Sequence, residues 1–184
     1  MHKVLIIFFI LNLYSPVFSS VKEKIVAQMK LTNNLSFNFI QTIDNKNENG
    51  KCIIKYPKKI WCKYDNSIKK IIVSNGKSLV IKTANKGSYY LYPLSKTPLN
   101  ILLDKNYLIS KIKTLEAREI DGKYLNFKFF ENNNEINVFF DIKSLNLIGW
   151  QTEDIYQNLV ITFISSVKIN QKINNKIFIL PKNN

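Results

Sequence analysis

Cys52 and Cys62 are the only cysteines of this 184-residue chain, and His2 is its only histidine. The two thiols lie ten positions apart on what reads as one hairpin. They can form a disulfide or stay as two buried thiols. Without a histidine or a CxxC spacing they do not make a catalytic or metal set. His2 falls in a segment that reads as a leader, so the processed chain would hold no imidazole. That excludes histidine-based triads, His–Cys dyads and histidine-ligated metal, and no cofactor or metal is expected. Glu116, Glu119 and Asp121 are close in sequence, but a solvated strand and turn accounts for them. Asp154, near Trp150, reads as a turn residue rather than an acid catalyst. Tyr89, Tyr90 and Tyr92 beside lysines could imitate an aromatic and basic nucleic-acid stripe. Strand alternation explains the same spacing, and no nucleic-acid partner is expected. These residues argue against an enzyme.

What remains as functional chemistry is apolar surface. Phe37 and Phe39 share one strand face, and Ile54 and Tyr56 share another. A three-residue turn at Pro57-Lys58-Lys59 that opposes Tyr56 to Ile60 puts Ile60 and Tyr64 on that same face. This register pairs Ile54 with Cys62 and leaves Cys52 diagonal, at about 7–8 Å, beyond comfortable disulfide span. A shift of two residues would set the cysteines directly opposite. Leu99, Leu102 and Leu103 make a short helix apolar on most sides, which must be covered. From the residues alone these side chains fit an ordinary packed core or the wall and lid of a ligand cavity.

The elements that position them follow from periodicity. Val21, Ile25 and Met29 recur at spacing four and predict a helix over Val21 to Leu31. The period then changes to two, predicting a strand from Leu35 to Ile43. Asp44 to Gly50 reads as a polar turn. Hairpins follow at Lys51 to Tyr56 with Ile60 to Asp65, and at Lys69 to Ser74 with Lys77 to Thr83 about Asn75-Gly76. Ser88 to Tyr92 is a further strand. Thr97 can cap a helix starting at Pro98, and Asn106 to Lys113 can extend it. Strands are expected again over Thr114 to Ile120, Tyr124 to Phe130, Glu135 to Asp141, Leu145 to Thr152, Leu159 to Lys168 and Lys176 to Leu180. About eleven strands joined by short turns, with a few helices, predict one mainly β domain: a single half-closed antiparallel β-barrel lidded by short α-helices.

The N-terminus and the charge bound the compartment and partners. Met1 to Lys3 is a short positive region, Val4 to Leu13 is almost wholly apolar, and Pro16 follows. Val17 and Ser19 stand at the small-residue positions of a cleavage site, so residues 1–19 are expected to be a signal peptide and Ser20 the first mature residue. An uncleaved anchor is the competing reading. The net charge is +14, which suggests an anionic partner. Lys, Ile and Asn also make up 26, 27 and 24 residues, and one compositional bias toward A/T-rich codons would inflate all three. Arginine, which suits bidentate recognition, occurs once, at Arg118.

These pieces, taken in order, resemble the LolA-type outer-membrane lipoprotein carriers. The resemblance rests on Phe39-Ile40-Gln41-Thr42 after the first helix, Gly50, Lys55-Tyr56-Pro57 and Ile60-x-x-x-Tyr64. It continues through Ile72 to Leu79, Pro93 to Leu99 with Leu102 and Leu103, the spacing of Trp150, Asp154 and Asn158, and Phe178 with Pro181. It implies a domain over residues 20–184 that binds lipoprotein acyl chains in the periplasm, without catalysis. The cargo surface would comprise Phe37, Phe39, Ile54, Tyr56, Ile60, Tyr64, Leu99, Leu102 and Leu103. It implies acylated lipoproteins as cargo, an inner-membrane LolCDE-like ABC transporter and a LolB-like outer-membrane receptor as partners, and a monomer. A module of the same fold for another lipid or hydrophobic ligand is the alternative, and an exported hydrolase the remotest one. The chain departs from the family at Tyr56, where an arginine implicated in lid closure is usual. Cys62 stands where the family has a barrel Trp, with Trp61 one place off, and Gln157 replaces a glycine. If Tyr56 inherits the arginine's role, its hydroxyl should hydrogen-bond a lid carbonyl between Leu99 and Leu103.

Overall fold

The computed structural model describes residues 20–66, 68–84, 87–131, 134–154 and 157–183. The expected leader, residues 1–19, lies outside them. The chain opens with helix α1 (Val21–Leu31). Ser20 caps it, accepting from the Glu23 N–H, while Glu23 accepts the Ser20 N–H at 2.8 Å, a reciprocal capping box. Then come β1 (Asn34–Ile43), β2 (Lys46–Lys55), β3 (Lys59–Tyr64), β4 (Lys70–Asn75), β5 (Ser78–Thr83) and β6 (Tyr89–Pro93). Two helices interrupt the strands, α2 (Leu99–Leu102) and α3 (Lys105–Thr114). The sheet resumes with β7 (Arg118–Ile120), β8 (Tyr124–Glu131), β9 (Asn134–Asp141), β10 (Leu147–Glu153) and β11 (Leu159–Ile169).

All eleven strands join one antiparallel sheet in the order β6-β5-β4-β3-β2-β1-β11-β10-β9-β8-β7. The first and last strands pair at its centre, so β6 and β7 are left as edges and the sheet is half-closed. Its concave face carries alternate residues of every strand, including Phe37, Phe39, Ile54, Ile60, Phe127, Val138 and Phe140. Helices α1 and α3 pack antiparallel over the β7–β9 half through Ile25, Met29, Leu108, Ile109 and Ile112. Each helix caps the other's C-terminus with a lysine from its own first turn. Lys22 Nζ donates to the Leu115 carbonyl at 3.1 Å, and Lys105 Nζ donates to the Thr32 carbonyl at 2.8 Å.

Several local expectations give way to tertiary context. The Tyr56-to-Lys58 turn pairs Lys55 with Lys59 and Ile54 with Ile60, not Tyr56 with Ile60. This is the two-residue shift, and it sets Cys52 directly opposite Cys62. The polar stretch after Asp44 is already strand, because β2 pairs along the whole of β1. Asn75-Gly76 is not a two-residue turn: Ser74 pairs with Leu79. The Asn75 side chain accepts the Lys77 and Ser78 N–H groups at 2.9 and 3.0 Å, and Gly76 takes a φ of +101°. The Thr97 hydroxyl donates to the Leu94 carbonyl instead of capping α2. Thr114 ends α3 rather than starting a strand, because Ile109 and Ile112 keep that segment helical against α1. The expected Lys176 to Leu180 strand is a short 3-10 turn, Asn175–Phe178. It crosses the outer face of β3 and β4, which already have strands on both sides and offer no free edge.

Candidate functional site

Between the β2–β6 wing and the central strands lies an open cavity of about 460 Å³. One wall is read directly from the registers. Cys52, Cys62, Ile72, Ile81 and Tyr90 form one transverse row across β2–β6, and Ile60, Leu79 and Tyr92 belong to the next. Phe39, Trp150, Val160 and Thr162 line the facing wall, and Thr97, Pro98 and Leu99 close one end. Gly50 makes the junction possible. It stands between Phe39 and Tyr64 on the concave face, and a Cβ there would lie 2.2 Å from the Lys63 carbonyl oxygen. With no side chain between them, the two rings meet edge to face at 4.8 Å.

The disulfide is part of this wall. Cys52 and Cys62 are bonded, their Cα atoms 4.1 Å apart. Half-cystines are short, so the wall is recessed at this row. Trp61, one residue earlier, points to the outer face beside Val73, and cannot fill the recess.

Polar groups gather at the rim. Tyr64 donates its hydroxyl to Gln41 at 3.0 Å, and Gln41 donates to the Thr162 hydroxyl at 3.1 Å. Burial first, and then the Glu48 carboxylate, hold the Tyr64 phenol well above its ordinary pKa. Lys70 lies 3.8 Å from the Tyr64 ring centroid and pairs with Glu48. Glu153 and Asp154 complete the rim. Asp154 accepts the Asn158 N–H at 2.9 Å and its side-chain amide at 3.1 Å, so it organises a turn. Among the described residues no three His, Cys, Asp or Glu side chains converge as a metal set. The site can therefore seat an apolar body and meet a polar group at its mouth.

The nine residues expected to bind cargo divide. Phe39, Ile60, Tyr64 and Leu99 line the cavity. Phe37 and Ile54 are buried beside it, Phe37 edge to face with Trp150 at 6.2 Å. Leu102, the last residue of α2, and Leu103 after it are buried, at 6% and 0% exposure, and do not line it. Tyr56 lies on the other side of its turn, near Met29, Leu35, Leu108 and Phe140. Strand periodicity missed Ile72, Leu79, Ile81, Tyr90, Tyr92 and Trp150, because it reports a face, not which part of that face stays uncovered.

The expected Tyr56 latch is also absent. The Tyr56 hydroxyl makes no hydrogen bond to the described residues, and burial raises its pKa. The next-but-one residue holds the lid instead. The Lys58 N–H donates to the Leu103 carbonyl at 2.9 Å, and Lys58 Nζ is 3.4 Å from Asp104. Asp104 also caps α3, accepting the Tyr107 N–H at 3.1 Å. The Lys58 carbonyl accepts from the buried Ser74 hydroxyl at 3.1 Å, fixing the turn to β4.

A half-closed antiparallel sheet wrapped round helices, with an open and mostly apolar cavity beside a short helix, defines a mainly β class of fold. The chain belongs to the LolA family: the family described as outer membrane lipoprotein carrier protein LolA matches residues 30–180. No curated protein matches the sequence significantly. Solved structures are similar in fold at low identity. An uncharacterized conserved protein from Thermus thermophilus aligns at 7% identity with a TM-score of 0.53, covering 88% of this chain and 93% of that one. The LolA superfamily protein NE2245 from Nitrosomonas europaea aligns at 10% identity and a TM-score of 0.44, over 87% and 98%. A putative outer membrane lipoprotein-sorting protein domain from Vibrio parahaemolyticus aligns at 7% and 0.45, over 85% and 95%.

Proposed function

We propose that this chain is a periplasmic carrier that seats lipoprotein acyl chains in the cavity. It would accept them from an inner-membrane LolCDE-like transporter and release them to a LolB-like outer-membrane receptor. The observation that carries this reading is the 460 Å³ apolar cavity in a chain of the LolA family. Each methylene moved from water into such a wall gains about 0.8 kcal/mol. The rim of Lys70, Gln41 and Glu153 suits the polar glyceryl end that stays outside. The partly exposed Lys58–Asp104 contact suits a carrier, since a lid held weakly can both admit and release cargo.

The test is binding of an apolar fluorescent dye to the mature protein and its displacement by a triacylated lipopeptide. Ile81→Trp, which fills the cavity from a half-buried wall position, should weaken both about tenfold or more and leave melting nearly unchanged. Undiminished binding in that variant would remove the cavity from the reading. Mass spectrometry of material co-purified from the periplasm tests the cargo: acylated lipoproteins support the carrier, and free lipid alone supports a module for another ligand.

A further inference from the structure

The positive charge is segregated. Residues 46–103 and 155–184 hold sixteen lysines and two acids, Glu48 and Asp65. Residues 104–154 hold seven cations and nine acids. A general codon bias would enrich lysine throughout, but it would not empty 66–103 and 155–184 of every acid. The first group builds the β2–β6 wing, α2, the central strand β11 and the C-terminal segment that crosses the wing. The second builds α3 and the β7–β10 wing.

The registers put much of this charge on one outer face. Lys51 is directly opposite Lys63, and Lys55 directly opposite Lys59, all outward. Like charges directly opposite destabilise a sheet, so the fold gains nothing from these pairs. The C-terminal segment lies across the same face. Lys55 Nζ reaches Asn175 at 2.6 Å, and Lys82 Nζ reaches the Lys182 carbonyl at 2.8 Å. Lys51, Lys63, Lys176 and Lys182 are exposed, and none pairs with a described acid. Among them Ile179 is 68% exposed and Leu91 56%. Lysines surrounding isolated apolar side chains match the chemistry of an anionic bilayer surface, where ammonium groups meet phosphates and an aliphatic tip enters the headgroup layer. The face offers lysine ammonium groups, point charges that meet phosphate oxygens without a fixed bidentate geometry.

We propose that the outer face of β2–β6, with the C-terminal segment on it, docks on membranes containing anionic phospholipid. This face is separate from the cavity, and the proposal holds whatever the cavity carries. It would act by holding the protein at the membrane while the cavity mouth remains free.

The test is co-sedimentation of the mature protein with vesicles of phosphatidylcholine, with and without a third phosphatidylglycerol. Binding should need the anionic lipid and be lost between about 0.05 and 0.5 M salt, as screening shortens the Debye length. Each lysine near the surface contributes about fivefold. The variant K51Q/K63Q/K176Q/K182Q should therefore bind several hundredfold more weakly, with dye binding in the cavity retained. Ile179→Ser should cause a smaller loss. Equal sedimentation with neutral vesicles, none with anionic ones, or salt-sensitive retention on polyglutamate without vesicle binding would overturn the proposal. So would a folded quadruple variant that binds as the parent does.

Discussion

At the residue scale the departures from the family pattern have separate physical meanings. Gln157 adopts a φ of +65°, left-handed backbone that favours glycine at this place before Asn158. Gln157→Gly removes that strain but gives the unfolded chain more freedom, so the expected net gain is about 0.5–1 kcal/mol. It should appear as a melting temperature about 1–4 °C higher; a fall would show that the turn carries no strain. Tyr56 has a different meaning. Its ring packs between the helices and the sheet, and its hydroxyl bonds to no described residue. Tyr56→Phe should leave transfer and melting unchanged, whereas Asp104→Asn, which weakens the Lys58 contact and keeps a cap for α3, should speed dye release. Equal release rates for Asp104→Asn and the parent would show that the ion pair does not hold the lid.

At the element scale the β2–β3 hairpin shows how a small geometric choice changes chemistry. With the turn spanning Tyr56 to Lys58, the cysteines face each other and the loop they close is ten residues. Closing it should stabilise the fold by on the order of 2–3 kcal/mol. Denatured protein prepared without reductant should show no free thiol, and reduction should lower the melting point; two free thiols per chain would contradict the pairing. The same hairpin and its neighbours bury Tyr64 and half-bury Tyr56, and both phenols are held protonated above their ordinary range. A native pKa above the unfolded one means that stability is intact below about pH 10 and falls as pH rises beyond it. Absorbance titration should show Tyr64 ionising only together with unfolding. A reversible titration of every tyrosine near pH 10, with the fold intact, would deny the burial of Tyr64.

At the scale of the whole molecule, one antiparallel sheet joins its termini at the centre and leaves its edges outside. The β1–β2 and β1–β11 seams run for most of those strands' length, while α2 is four residues long and held by a single turn. Hydrogen exchange should accordingly be slowest at β1, β2 and β11 and fastest at α2, β6 and β7. Protection at α2 equal to that of β1 would rule out a lid that opens separately from the sheet.

Much of this was legible in the residues. Alternation in Leu35 to Ile43, spacing four in Val21 to Met29 and the order of turns determined that the chain is a mainly β domain with a concave apolar face, because such periodicities follow directly from backbone geometry. The motifs from Phe39 to Pro181 determined its family. Local pattern did not decide the register at Pro57, since a shift of two residues preserves every inward face. Nor did it decide which apolar side chains remain uncovered: Ile54, Leu102 and Leu103 are as apolar as Ile60, Ile81 and Leu99, and only the packing of α1, α2 and α3 separates core from cavity. The outer basic face was hidden for the same reason. Its lysines come from β2, β3 and β5 and from a C-terminal segment whose Lys182 is 100 residues beyond Lys82 of β5, brought together only because the sheet pairs its strands and the last residues cross over it.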